Sequence, residues 1–342
     1  MSLGALIGLL LPPLASLAAP LLLPALLVTT IVALVRRFEG PLRKFQDIKP
    51  LTGLKVQGLE NQPDLLPPWL YSGSVLNIGV LLGGLVAALL SREFALRPAP
   101  VQVNYLGFPG TLGAPYMDYI IADRTVIPEN DRGHYVESVV YLPDSYQVND
   151  SNRSISPSTP SRAEAGLPET GFVFCCFNNS FKILPEMFGL WMRLLTQIEG
   201  SVLWLLEDNA IVAGNLRREA ASRGVAPERL VFAPRLPHAE HLARHRLADV
   251  FLDTLPYNAH TTGSDALWAG LPIVTCPGPT FASRVAASLL TAAGLTETIT
   301  PTLDAYEALA LKLAREPSTL TELKEKLARG RETCALFDTA RM

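Results

Sequence analysis

Apolar and polar positions fall into distinct regimes along the chain. Residues 1–35 hold no Asp, Glu, Lys or Arg, and a second uncharged stretch runs from Ser72 to Ser91 around "VLNIGVLLGGLVAALL". At ~1.5 Å per residue, each is long enough to cross a hydrocarbon layer of ~30 Å. The pattern predicts a membrane helix at 72–91 and a membrane helix or reentrant hairpin at 1–35, where Pro12, Pro13, Pro20 and Pro24 interrupt the run. Residues 36–71 between them are polar and carry Arg36, Arg37, Arg43, Lys44, Lys49 and Lys55. By the positive-inside rule this is a cytoplasmic loop, so both termini would face away from the cytosol. Buried core helices, or an apolar leader that never inserts, are the other readings of the same pattern.

From residue 92 the chain takes on α/β character. Residues 92–150 alternate short apolar runs with Gly-Pro punctuation, and 151–168 is a Ser/Pro-rich stretch without periodicity that reads as a linker. In 169–342 the runs "GFVFCCF", "SVLWLLE", "RLVFAP", "ADVFLD" and "PIVTC" suit strands buried on both faces. They alternate with helical patterns such as "PEMFGLWMRLLTQI", "NAIVAGNLRREAASRG", "HAEHLARHR" and "SRVAASLLTAAG". This alternation predicts a parallel, Rossmann-like sheet whose ligand lies beyond the carboxyl ends of the strands.

Composition narrows the partners. With 342 residues and a net charge of −3, the chain holds one or two compact units and has no global field that would recruit nucleic acid. Cys175, Cys176, Cys276 and Cys334 lack metal-ligand spacing and read as reduced thiols, so no metal site is expected. Four of the five histidines fall between residues 238 and 260, all near predicted strand ends, and that clustering favours a site.

The densest chemistry is in "ADVFLDTLPYNAHTTGSDALWAG", which reads as strand, loop and helix. Thr261, Thr262 and Gly263 in the first helical turn would let backbone amides approach an anion, with the helix dipole favouring negative charge. Asp265, one turn on, can accept hydrogen bonds from vicinal hydroxyls. Simple capping by Thr261 or Thr262, with Asp265 steadying the first turn, is the competing account. "FNNSFKI" brings Lys182 to the same edge of the sheet, where it could meet a diphosphate. "LPHAEHLAR" brings His238, with His241 and Arg244 sharing one helix face.

"LRPAPVQVNYLGFPGTLGAPYMDYIIAD", "FNNSFKI", "HTTGSDALWAG" and "SRVAASLL" together resemble the catalytic region of O-GlcNAc transferases, over roughly residues 93–340. That family moves N-acetylglucosamine from UDP to Ser or Thr hydroxyls of proteins. The resemblance implies the Rossmann-like C-terminal lobe of a two-lobed GT-B-type glycosyltransferase, metal-independent and inverting, with UDP-GlcNAc as donor substrate and no cofactor. It implies that Lys182 binds the diphosphate with Asn179 beside it, and that His260, Thr261 and Thr262 hold the phosphates. It implies that Leu236 offers backbone atoms to the uracil near His241 and Arg244, that Asp265 holds the ribose, and that His238 stands where some members have Lys. A SPINDLY-type protein fucosyltransferase shares the fold, but "HTTGSD" favours the UDP-GlcNAc branch. Residues 1–92 contain no histidine and do not resemble the family's N-terminal lobe, of which 92–150 would be a remnant, and the C-terminus stops short of a further family helix. A chain of that kind is expected to bind donor and transfer sugar poorly, or to act as a non-catalytic, membrane-tethered nucleotide-binding or scaffold protein. Its expected location is a membrane, or the nucleocytoplasm if the leader does not insert.

Overall fold

Three short strands, β1 (Val103–Asn104), β2 (Tyr119–Ala122) and β3 (Ser138–Tyr141), pair in parallel in that order, with Tyr119 opposite Val103 on one side and Ser138 on the other. Ile120 and Ala122 of β2 are buried while Tyr119 is exposed, the alternation expected of a sheet covered on one face. The structure, a computed structural model, describes residues 99–341. The membrane segments predicted at 1–35 and 72–91, and the basic loop between them, lie outside the described residues. Among the described residues no helix is long and apolar enough to cross a membrane.

The predicted runs after residue 169 form a second parallel sheet: β4 (Val173–Cys176), β5 (Val202–Leu206), β6 (Leu230–Ala233), β7 (Val250–Leu252) and β8 (Ile273–Val274). Its spatial order is β6-β5-β4-β7-β8, so the order of strands reverses between β4 and β7. Every residue of β4 and of β7 is buried, because helices cover both faces of the sheet.

The helices are α1 (Pro185–Gln197), α2 (Ala210–Ser222), α3 (His238–Arg244), α4 (Thr261–Trp268), α5 (Val285–Ala292), α6 (Leu303–Arg315) and α7 (Pro317–Gly330). α1 starts with Pro185, whose missing N–H costs nothing in a first turn. Asn209 caps α2 by accepting the Val212 N–H at 3.0 Å, and Thr302 caps α6 through the Ala305 N–H at 3.1 Å. α1 and α6 meet where Trp191 Nε1 donates to Tyr306 Oη at 3.3 Å, and Tyr306 in turn donates to the carbonyl of Asp253 at 3.0 Å. The apolar core thus reaches the carboxyl end of β7 and fixes its backbone.

Two of the polar fasteners run from residues beside the small sheet to α5. Asp123, just past β2 and 1% exposed, accepts the Thr125 and Val126 N–H groups on one oxygen. On the other it accepts the Tyr146 N–H at 2.8 Å and the Ser288 hydroxyl of α5 at 2.6 Å. Arg284, at the start of α5, pairs with Asp131 at 2.6 Å.

Candidate functional site

The reversal of strand order leaves a crevice beyond the carboxyl ends of β4 and β7, where ligands of such sheets bind. Asp253, immediately after β7, shapes its floor. One carboxylate oxygen accepts the Thr254 and Ala259 N–H groups at 2.8 and 2.6 Å, and the other accepts the Thr275 hydroxyl at 2.6 Å. Those bonds fold residues 253–259 into a tight loop. Burial pushes the Asp253 carboxyl up to about 7, against the pull of these donors and of the Lys182 charge.

Asn178, after β4, ties this loop to its neighbours. Its amide donates to Thr254 Oγ1 at 2.8 Å, and its carbonyl oxygen accepts the Thr262 hydroxyl. Asn179 is exposed and precedes the single 3-10 turn Ser180–Lys182, which delivers Lys182 to the crevice. Lys182 Nζ donates to the Asn258 carbonyl at 2.8 Å and lies 4.0 Å from the centre of the Tyr257 ring. Burial lowers its pKa, with Asp253 opposing. Tyr257 stacks on His260, ring centres 4.8 Å apart. His260 Nε2 sits 3.2 Å from the Ala282 carbonyl, which assigns the ring proton to that nitrogen. Burial, helped by the Lys182 charge, draws the His260 pKa down to about 4, so the ring is neutral at pH 7.

His260 is the N-cap residue of α4, and no side chain caps that end. Thr262 spends its hydroxyl on Asn178, so capping by either threonine does not occur. The first amides of α4 have no acceptor within the helix and are available to an anion. Gly263 serves a different purpose from the one its position predicts. It is buried, and a Cβ there would stand 3.2 Å from Leu289 Cδ1 and 3.3 Å from Ala259 Cβ. Its lack of a side chain seats α4 against α5 and the preceding loop.

Beside the α4 start lies a cavity of about 350 Å³. His238, His260, Thr261 and Asp265 line one side, and Leu106 with residues 146–150 the other. One Asp265 oxygen accepts from Arg153 Nη1 at 2.7 Å and has His238 Nε2 at 3.3 Å. Arg153 belongs to the stretch that reads as a linker, and nothing in its surrounding pattern marks it. No sequence signal separates it from Arg162 in the same stretch, because its partners come from sequence-distant residues that meet only in the closed fold.

His241 and Arg244 turn inward. Arg244, 1% exposed, donates to the Pro234 carbonyl at 2.6 Å, meets His241 Nδ1, and lies 4.7 Å over the Phe177 ring. Burial draws Arg244 down to about 10 and, with neighbouring positive charge, His241 to about 2. Together they brace the turn before α3 that carries exposed Leu236. The structure therefore gathers His238, His260, Thr261 and Asp265 at one cavity and Lys182 and Thr262 at the adjoining loop, while His241 and Arg244 support the rim from beneath.

The chain is 38% identical over 312 residues to the probable UDP-N-acetylglucosamine–peptide N-acetylglucosaminyltransferase SEC of Arabidopsis thaliana, an alignment covering 90% of this chain and 31% of that protein. It is 34% identical to a SPINDLY protein of Petunia hybrida, covering 68% of this chain and 25% of the relative. Among solved structures, the O-GlcNAc transferase of Thermobaculum terrenum, a mutant form, superposes with TM-score 0.62 at 34% identity, over 72% of this chain and 47% of that one. The glycosyltransferase WaaG superposes with TM-score 0.50 at 15% identity, covering 78% of this chain and 82% of that one, a likeness of fold alone. The chain spans about a third or less of the length of these curated relatives. The alignment to SEC is longer than residues 93–342 could supply, so the likeness begins earlier than the quoted motifs indicate. The model of glycosyl transferase family 41 matches residues 78–158 and 155–342, reaching into the apolar stretch Ser72 to Ser91, and the chain belongs to that family.

Proposed function

We propose that the chain binds UDP-N-acetylglucosamine in this crevice and serves the transfer of its sugar to Ser or Thr hydroxyls of proteins. The observation that carries the reading is the uncapped start of α4 beside Lys182, in a family whose relatives bear the names of peptide N-acetylglucosaminyltransferases. A diphosphate fits the α4 amides and the Lys182 ammonium, with Thr261 and His260 at its side. Asp265 is placed for the ribose, and the backbone at Leu236 for the base.

In the transfer, the bond from the sugar C1 to the diphosphate oxygen breaks as the acceptor hydroxyl oxygen bonds to C1, and the hydroxyl proton is released to solvent. Negative charge then grows on the departing UDP. Fixed donors aimed at such charge are usually a large catalytic contribution, because they need no reorganisation as it develops. In this proposal Lys182 and the α4 amides supply that stabilisation without a metal ion.

Calorimetry on the full chain tests the reading. UDP is expected to bind more tightly than GDP and equally well with or without EDTA. Lys182→Ala is expected to weaken UDP by about 1.5–3 kcal/mol, the worth of a hydrogen bond to a charged group. Equal affinity for UDP and GDP, or indifference to Lys182→Ala, overturns it. Labelled UDP-GlcNAc with a Ser/Thr-rich peptide then separates transfer from binding.

A further inference from the structure

Arg153 has an environment that its place in the sequence does not explain. Its side chain is 11% exposed, and each of its nitrogens donates a hydrogen bond. Nε reaches the Asp150 carbonyl at 3.0 Å, Nη1 reaches Asp265 Oδ1 at 2.7 Å, and Nη2 reaches Ser264 Oγ at 3.2 Å. The guanidinium lies 5.3 Å from the Trp268 ring and 5.5 Å from the Phe337 ring. Trp268 Nε1 also donates to the Arg153 carbonyl at 3.0 Å. Backbone and side chain of one residue are thus held from several directions, three of them on α4.

The other end of the pair is equally constrained. The Asp265 side chain is 8% exposed and lines the cavity. Its Oδ1 takes the Arg153 bond, and the more exposed His238 ring lies further off at 3.3 Å. Oδ2 has no partner among the described residues. A free carboxylate on a helix can rotate about its side-chain torsions, and a planar guanidinium on one oxygen removes that freedom.

We propose that Arg153 is a positioning residue for nucleotide binding: it fixes Asp265 through Oδ1, leaving Oδ2 to accept the hydroxyls of a ribose. The proposal rests on the UDP reading above and adds to it a source of preference for a ribonucleotide, contributed by the segment that joins the two sheets. Pre-setting the carboxylate lowers the ordering cost at the moment of binding.

Calorimetry on the full chain with UDP, 2′,3′-dideoxy-UDP and pyrophosphate tests it, using Arg153→Met, Arg153→Lys, Asp265→Asn and the double variant Arg153→Met/Asp265→Asn. Arg153→Met is expected to weaken UDP about tenfold, the scale of one charge-assisted hydrogen bond. Its effect on dideoxy-UDP and on pyrophosphate is expected to stay below about twofold, since neither offers the hydroxyls. Arg153→Lys restores part of the UDP affinity, and Arg153→Met adds no loss in the Asp265→Asn background. If Arg153→Met does not fold by thermal melting, Arg153→Lys carries the comparison, because it keeps the charge on Oδ1 but loses the bond to Ser264. Equal weakening of all three ligands, as a loosened fold or a direct phosphate contact would produce, overturns the proposal, as do additive losses in the double variant. If the unmodified chain binds no UDP, the nucleotide reading fails first and this inference falls with it, a result distinguished by appearing before any change at Arg153.

Discussion

Three histidines beneath and beside the crevice are held neutral by burial: His260 and His245 at about 4, and His241 at about 2. Each has a folded pKa below its unfolded value of 6.5. Their contribution is therefore fully present above pH 6.5 and is lost as pH falls toward the folded values. Between pH 6.5 and 5.5 the loss is about 1 kcal/mol per histidine, offset in part by Asp253, whose raised pKa of about 7 has the opposite sign, so that the three histidines together outweigh it. Urea unfolding over this range should show the midpoint falling with pH, and His245→Asn should flatten the slope; a midpoint that holds constant to pH 5.5 counts against the assignment. This behaviour could be read only in part from the chain. The clustering of four histidines between 238 and 260 is visible in the sequence, and it marks the region. Which of them face the cavity is not, since His238 and His241 lie three apart on one helix yet one lines the cavity and the other packs against Phe177.

α4 shows how an element can be legible while its internal logic is not. Strand, loop and helix follow from "ADVFLDTLPYNAHTTGSDALWAG", because the apolar run of β7 ends in polar residues and a new apolar pattern begins. The small residue at 263 fits either an anion cradle or a tight helix seat, and only the neighbours Leu289 and Ala259 decide between them. Gly263→Ala should accordingly destabilise the fold by about 1 kcal/mol, overpacking outweighing the helix propensity gained. Urea titration checks this, and a variant more stable than the original refutes the packing account. Strands β4 to β8 are read correctly because strands buried on both faces are uniformly apolar, a pattern independent of tertiary detail. α6 and α7 escape assignment despite the Thr302 cap, and the 151–168 stretch is read as mere linker. Its contacts run to residues as far off as Arg246, 87 positions from Thr159, and Trp268, 115 from Arg153, and coil held by such contacts carries no period.

At the scale of the molecule, the described residues form one wall from Leu106 and 146–153 and another from α3 and α4, spanned by Arg153–Asp265, while Asp123–Ser288 and Arg284–Asp131 tie the residues around β2 to the start and body of α5. Ser264 also donates to Asn149, and Asn149 donates to the Leu336 carbonyl at 3.2 Å, so the end of the described chain joins the same assembly. Each of these bonds joins a residue at or before 153 to one at or after 264, and none is made by the connecting peptide beyond Arg153. Ala163 and Glu164 stand exposed in that connection, whereas Asp123, Asn149 and Ser288 are buried. A protease that nicks the chain there should leave two fragments that run apart on a denaturing gel but elute together on gel filtration. Immediate separation without denaturant would show that the covalent link, rather than the polar fasteners, holds the walls. The stretch between the sheets is then a natural breakpoint, one at which a cut is expected to leave the two halves held by side chains alone.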